Sequence, residues 1–276
     1  MKNKNNTNTK VIIFNGDDTL WECFSIYKRA KYSYAKFMQS IFPNDPLLAG
    51  QQGIENFIKT MDIIDGTAVV YTKSFNIERL KFSMLYMYNI LADRNNIRSI
   101  DTADIKNKID ELAEEIHSTP IILFKDTIPA LNLIKRMKNK DNNIILVLYS
   151  FASKRKMATM PESLKKYFDF IVNERTSDTK DYKYIKQLVK DKTGIDIPYK
   201  NMTVVGNSIR YDINPALELG TNALFIKNPE ETGKYLRIVD RSRPLKPIPT
   251  FSSVFYAVKF YINKEKSQQA EIYSIL

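Results

Sequence analysis

The chain has one cysteine, Cys23, in 276 residues, so no disulfide can form within it. It has one histidine, His117, which excludes a multi-histidine metal site and leaves a Ser-His-Asp triad only by way of that residue. His117 precedes the break at Pro120 and reads as an ordinary helix-end residue. No apolar run approaches the ~20 residues that a membrane-spanning helix needs. Met1 to Lys10 is rich in Asn and Lys and has no apolar core, so it is not a secretory signal. The expectation is a short loose leader on a cytoplasmic protein, with no membrane partner. Acidic residues are in deficit, 31 against 42 Lys and Arg, for a net charge of +11. That excess favours anionic partners, among them a phosphorylated small molecule, a nucleotide or nucleic acid. The basic residues are spread along the chain rather than gathered in one block.

What the chain does have begins at Val11. Val11 to Phe14 is apolar and rich in β-branching, the pattern of a buried parallel strand. The polarity then switches: Asn15, Gly16, Asp17, Asp18 and Thr19 stand where that strand ends, followed by Leu20 and Trp21. In open α/β sheets this edge is where ligands bind. Carboxylates clustered there repel one another and call for a cation or a proton.

From Phe24 to Phe42 the spacing turns helical, with Tyr27, Ala30, Tyr34, Phe37, Met38 and Ile41 recurring every three or four residues. Further helices are expected at Ile54 to Ile64, after Gly53, at Asn76 to Asp93 and at Ala103 to His117, the last capped by Asp101 or Thr102. The stripes of Tyr, Phe and Met are the core of a helix bundle. After Pro120 the chain alternates. A helix at Ile128 to Lys138 leads through a turn at Asn142-Asn143 to a strand at Ile144 to Tyr149. A basic helical segment at Lys154 to Lys156 precedes a strand at Phe168 to Val172. A helix at Asp181 to Lys192, stopped by Gly194, leads to a strand at Met202 to Val205. A helix at Ile213 to Leu219, stopped by Gly220, leads to a strand at Asn222 to Ile226. Such alternation implies a parallel sheet wound by right-handed crossovers. The segment Arg241 to Pro249 is expected to be extended. Ser252 to Ile262 is expected to be a helix, and the last dozen residues to be loose.

The opening run, Asn15 to Trp21, resembles the first motif of the haloacid dehalogenase-like (HAD) phosphatases, an apolar strand followed by Asp-x-Asp-x-Thr and often Leu-Trp. Asp17, Thr19, Leu20 and Trp21 match; position 15 is Asn where the family has Asp. Three later strand ends extend the likeness: Ser150 matches the second motif, Lys180, or Lys183 in another register, the third, and Gly206-Asn207 with Asp212 the fourth. The resemblance implies an α/β fold. Its Rossmann-like core would be discontinuous, from residues 1–21 and 121–276, with an inserted α-helical cap at 22–120.

It also implies phosphomonoester hydrolysis through an aspartyl-phosphate. In that scheme the residue at 15 attacks phosphorus, and Asp17 serves as general acid and base. Thr19 and Ser150 bind the phosphoryl group, and Lys180 neutralises it. Mg²⁺ is held by positions 15, 17, 207 and 212. Asp at 17 favours phosphate chemistry over dehalogenation. Asn15 has the shape of the nucleophile without its charged oxygen, and Asn207 is a second neutral substitute, so metal affinity and turnover are expected to fall. Three accounts of Asn15 follow from the resemblance: an inactivating or substrate-trapping replacement of Asp, a natural pseudophosphatase that binds a phosphorylated ligand or partner, or a scaffold in other use. The net charge adds a phosphatase of nucleotides or nucleic-acid ends.

Overall fold

The computed structural model describes residues 9–71, 76–97, 102–140, 143–174, 179–227 and 242–275. Its centre is a six-stranded sheet in the order β3-β2-β1-β4-β5-β6, every pairing parallel. The strands are β1 Lys10–Phe14, β2 Ile144–Tyr149, β3 Phe170–Val172, β4 Met202–Gly206, β5 Asn222–Ile226 and β6 Thr250–Phe251. Alternation along β1 sends Ile12 and Phe14 to one face and Val11 and Ile13 to the other. Ile12 and Phe14 join Leu146, Leu148 and Val205 beneath α5 (Thr127–Lys140) and the C-terminal helix α10 (Val254–Ile275). Val11 and Ile13 join Val147, Tyr149 and Val204 beneath α8 (Tyr182–Thr193). Both faces are covered, which is why the strands are continuous apolar runs.

The chain leaves β1 toward β2 and β3 on one side and later enters β4 on the other side of β1. The carboxyl ends of β1 and β4 therefore flank the point where the winding reverses, the place at which sheets of this kind bind ligands.

The chain divides into two compact units. One takes the described parts of Met1–Glu22, Pro120–Glu230 and Ser242–Leu276, and the other centres on Cys23–Thr119. The second unit holds four helices among its described residues: α1 Phe24–Ile41, α2 Gly50–Tyr71, α3 Asn76–Arg94 and α4 Thr102–Ser118. The stripes expected on these helices form their own core: Ala30, Tyr34 and Met38 from α1, Leu80, Met84 and Leu91 from α3, Ile105, Ile109, Leu112 and Ile116 from α4. Tyr27, Phe37 and Ile41 pack at its margin. Polar ties lie within it as well. Tyr34 donates to the Met84 carbonyl at 2.7 Å, and the buried Lys31 pairs with Asp62 at 2.6 Å. Asp101, Asn142, Arg241 and the leader at residues 1–8 lie outside the described residues.

Several boundaries differ from the sequence reading, each for a local reason. The helix expected at Ile54 to Ile64 extends to Gly50–Tyr71, with Gly53 inside it. β3 begins at Phe170, because the Phe168 amide still bonds to Lys165 and the Asp169 carboxylate accepts the Leu146 amide at 2.8 Å. The helix expected from Ile213 starts as a π-helical turn, Ile209–Ile213, before α9, Asn214–Glu218. β6 has only two residues behind a proline-rich run, too short to show a period. It is fixed by main-chain bonds from Phe225 to Pro249 and from Lys227 to Phe251. The last dozen residues, expected to be loose, continue α10 to Ile275; Lys, Glu, Gln and Ala there are good helix formers. Replacing Tyr34 by Phe removes a buried donor and is expected to lower stability by about 1–2 kcal/mol in urea denaturation.

Candidate active site

Asn15 is the first residue beyond β1, held in register by its amide bond to the Val205 carbonyl at 2.8 Å. The loop then turns tightly. The Gly16 carbonyl accepts the amides of Leu20 at 2.8 Å and Thr19 at 3.2 Å, and Asp18 takes a left-handed φ of 52°. Gly16 is required here because a Cβ would lie 2.1 Å from the Trp21 ring. That ring is fully buried, and its Nε1–H donates to Asp17 Oδ1 at 2.8 Å. An indole N–H that is buried needs an acceptor, so Trp21 fixes the carboxylate two residues beyond Asn15.

The Asn15 side chain sits at the middle of a network drawn from three strand ends. Its Nδ2 donates to the Asp17 carbonyl at 2.8 Å and to Asn207 Oδ1 at 2.7 Å. Its Oδ1 accepts from Lys180 Nζ at 2.6 Å. The neighbours dictate this orientation: an ammonium only donates and a main-chain carbonyl only accepts, so a reversed amide would set N–H against N–H. Thr19 Oγ1 donates to the same Asn207 oxygen at 3.3 Å. Lys180 also pairs with Asp212 Oδ1 at 3.0 Å, both side chains being almost wholly buried. The other Asp212 oxygen accepts the amides of Asn207 at 3.1 Å and Ser208 at 2.9 Å. The π-helical turn brings Asp212 back under β4, where Gly206 makes room; a Cβ there would stand 2.5 Å from Asp212 Oδ2.

Lys180 precedes α8, whose N-cap is Asp181. Its ammonium lies 5.3 Å from the Tyr149 ring centre and 5.8 Å from that of Phe151, within cation–π range. Burial lowers the Lys180 pKa below that of an ordinary lysine, and the charges of Asp212 and Asp17 oppose the shift. Tyr182, the first residue of α8, has a buried hydroxyl with no hydrogen-bond partner among the described residues; burial, then the charge on Asp212, hold that phenol protonated far above the usual range.

The expected site residues are thus distributed unequally. Asn15, Asp17, Thr19, Lys180, Asn207 and Asp212 are joined by direct contacts. Ser150 lies at the carboxyl end of β2, beside β1, fully buried, with its hydroxyl accepting the Ala152 amide at 3.1 Å. Lys183 is exposed on α8, so of the two candidate lysines Lys180 is the one brought to Asn15. The sequence reading missed two positions. Trp21 was matched only as part of a motif, although a lone indole beside a carboxylate signals an anchoring bond. Tyr149 was read as strand core; it also faces the ammonium of Lys180, and its hydroxyl oxygen accepts the Asp181 amide at 3.2 Å.

The donors at positions 15, 17, 207 and 212 do not fit Mg²⁺ as they stand. Among the described residues no three carboxylate, imidazole or thiolate side chains are grouped to hold a metal. The two oxygens best placed for one, on Asp17 and Asn207, are bridged by an amide nitrogen, and Asp212 is engaged by Lys180.

No protein-family model matches the chain. No curated protein matches it in sequence. Solved structures do match in fold. A haloacid dehalogenase-like family hydrolase from Xanthomonas campestris is 15% identical, covers 95% of this chain and 99% of its own, and superposes with a TM-score of 0.63. A protein named as a predicted phosphoglycolate phosphatase, from Haemophilus somnus, is 14% identical over 92% of this chain and 99% of its own, with a TM-score of 0.54. A magnesium-bound protein from Bacillus subtilis, named as the putative HAD-hydrolase YfnB, is 14% identical over 90% of this chain and 96% of its own, with a TM-score of 0.51. The chain therefore has the fold of the HAD-like hydrolases, a Rossmann-like parallel core with an inserted helical unit.

Lys180→Met strands a buried carboxylate and is expected to cost about 3–5 kcal/mol in urea denaturation. The double variant Lys180→Met/Asp212→Asn, which removes both charges, should recover much of that loss.

Proposed function

We propose that this chain binds phosphate monoesters at the β1–β4 corner and that its amide at position 15 withholds the hydrolytic step. The observation that carries the reading is the contact of Asn15 with Lys180 and Asn207, an amide seated where the resemblance puts the attacking carboxylate. An amide oxygen bears no full charge and its nitrogen lone pair is delocalised, so neither atom displaces an alkoxide from phosphorus. Two neighbouring groups support the reading. Asp17 is held by Trp21, and Lys180 supplies a buried positive charge.

With Asp at 15, the carboxylate oxygen would form a bond to phosphorus while the ester P–O bond breaks. Asp17 would give its proton to the departing oxygen, and would then take one from the water that attacks the aspartyl-phosphate. The parent chemistry is thus that of a phosphomonoester hydrolase of HAD type, with Mg²⁺ as its cofactor once the third carboxylate is present. The same corner in its amide form is a phospholigand-binding site without turnover. That agrees with a likeness to structures named as hydrolases and as a phosphatase.

The test is Asn15→Asp assayed on an aryl phosphate with Mg²⁺. The expected outcome is a gain of at least about a thousandfold over the unaltered chain, worth ~4 kcal/mol in the barrier. A hydroxylamine-sensitive phosphoenzyme should appear with it. A variant that folds and stays inert across a broad panel of phosphate esters would remove the hydrolase lineage from the reading.

A further inference from the structure

We propose that the Asn15 amide stands in for a divalent cation, so that this corner holds its oxyanion ligand without any metal. The proposal rests on the reading of the corner as a phosphoryl site. Three observations support it.

The first is geometric. Asn15 Nδ2 directs its two N–H groups at two oxygens from different strand ends, the Asp17 carbonyl at 2.8 Å and Asn207 Oδ1 at 2.7 Å. A metal serving both oxygens would have to take the place of that nitrogen. Mg²⁺ asks for near-octahedral oxygen at ~2.0–2.1 Å and sheds its water reluctantly. Here it would have to break two short hydrogen bonds to gain two neutral oxygens.

The second is charge. The resemblance places carboxylates at 15 and 207, and this chain has amides at both. Two negative charges are gone, the number a divalent cation would neutralise. What remains, Asp17 and Asp212 against Lys180, has the same net charge as the four-carboxylate set with its lysine and its metal. The corner therefore reaches the charge of the metal-loaded set without importing a cation.

The third concerns Lys180. Its ammonium has three N–H donors, of which one meets Asn15 Oδ1 and one meets Asp212 Oδ1. The ammonium belongs to a side chain that is 4% exposed, rooted in the segment that joins β3 to α8, with the Tyr149 and Phe151 ring centres 5.3 and 5.8 Å away. A buried, oriented ammonium of this kind is a charge-assisted donor for a phosphoryl oxygen.

The experiment uses the full chain and three probes: Mn²⁺ alone, inorganic phosphate in excess chelator, and inorganic phosphate in excess Mg²⁺. Binding is followed by calorimetry, with Mn²⁺ also followed by paramagnetic resonance. The unaltered chain is expected to leave Mn²⁺ free and to bind phosphate with the same affinity, within about twofold, in chelator and in Mg²⁺. Asn15→Asp should gain at least about tenfold in Mn²⁺ affinity, as a third carboxylate completes an oxygen cage. Three results overturn the proposal: Mn²⁺ bound as tightly by the unaltered chain as by Asn15→Asp, phosphate bound only when Mg²⁺ is present, or phosphate bound under neither condition. None of these readouts requires turnover. An inert Asn15→Asp that nevertheless binds Mn²⁺ removes the hydrolase lineage and leaves this inference standing. Should Asn15→Asp fail to fold, the two phosphate arms on the unaltered chain still decide it.

Discussion

The hydrogen bond from Lys180 to Asn15 is the constraint on which the rest of the corner depends. An ammonium can only donate, so it takes the amide oxygen and turns the amide nitrogen toward Asp17 and Asn207. That orientation ties the loop after β1 to the loop after β4. The ammonium is itself held by Asp212, which sits under Gly206 and accepts two main-chain amides. Each member of the set has its position because another member has a fixed polarity. A buried network of this kind is stable only when nearly every donor and acceptor is met; the Tyr182 hydroxyl, which feels the charge of Asp212, has no partner among the described residues.

The sheet supplies the convergence before any polar contact forms. β1 lies between β2 and β4, so the residues that follow β1, β2 and β4 emerge side by side at one edge. Covering both faces with helices makes the strands largely apolar and gathers the polar side chains of this corner at the strand ends. The abrupt change from Phe14 to Asn15 is the clearest expression of that rule in this chain: Phe14 has no exposed surface, and the next side chain meets an ammonium.

Much of this was legible in the residues. β2 and β5 fall where their apolar runs stand, and the stripes on α1, α3 and α4 fill the core of their own unit, because burial on one face imposes a period that composition cannot disguise. The opening loop was legible because a short run of polar residues after a buried strand has few other meanings. What stayed hidden depends on contacts between distant segments. The sequence favours Lys180 but leaves the register open to Lys183; the start of α8 settles it, with Lys180 bonded to Asn15 and Lys183 exposed. Nor could the chain alone reveal that Asp212 serves an ammonium, since that follows from a π-helical turn with no sequence period of its own. β6 was invisible because two residues carry no pattern.

The placement of Trp21 has an optical corollary. It is the chain's sole tryptophan, it has no exposed surface, and its indole N–H is bonded to the Asp17 carboxylate. Indole emission from this protein therefore arises at a single spot, in hydrogen-bond contact with the loop after β1. A change at the Asp17 carboxylate would thus act on the indole it is bonded to, with no dye and no label to attach.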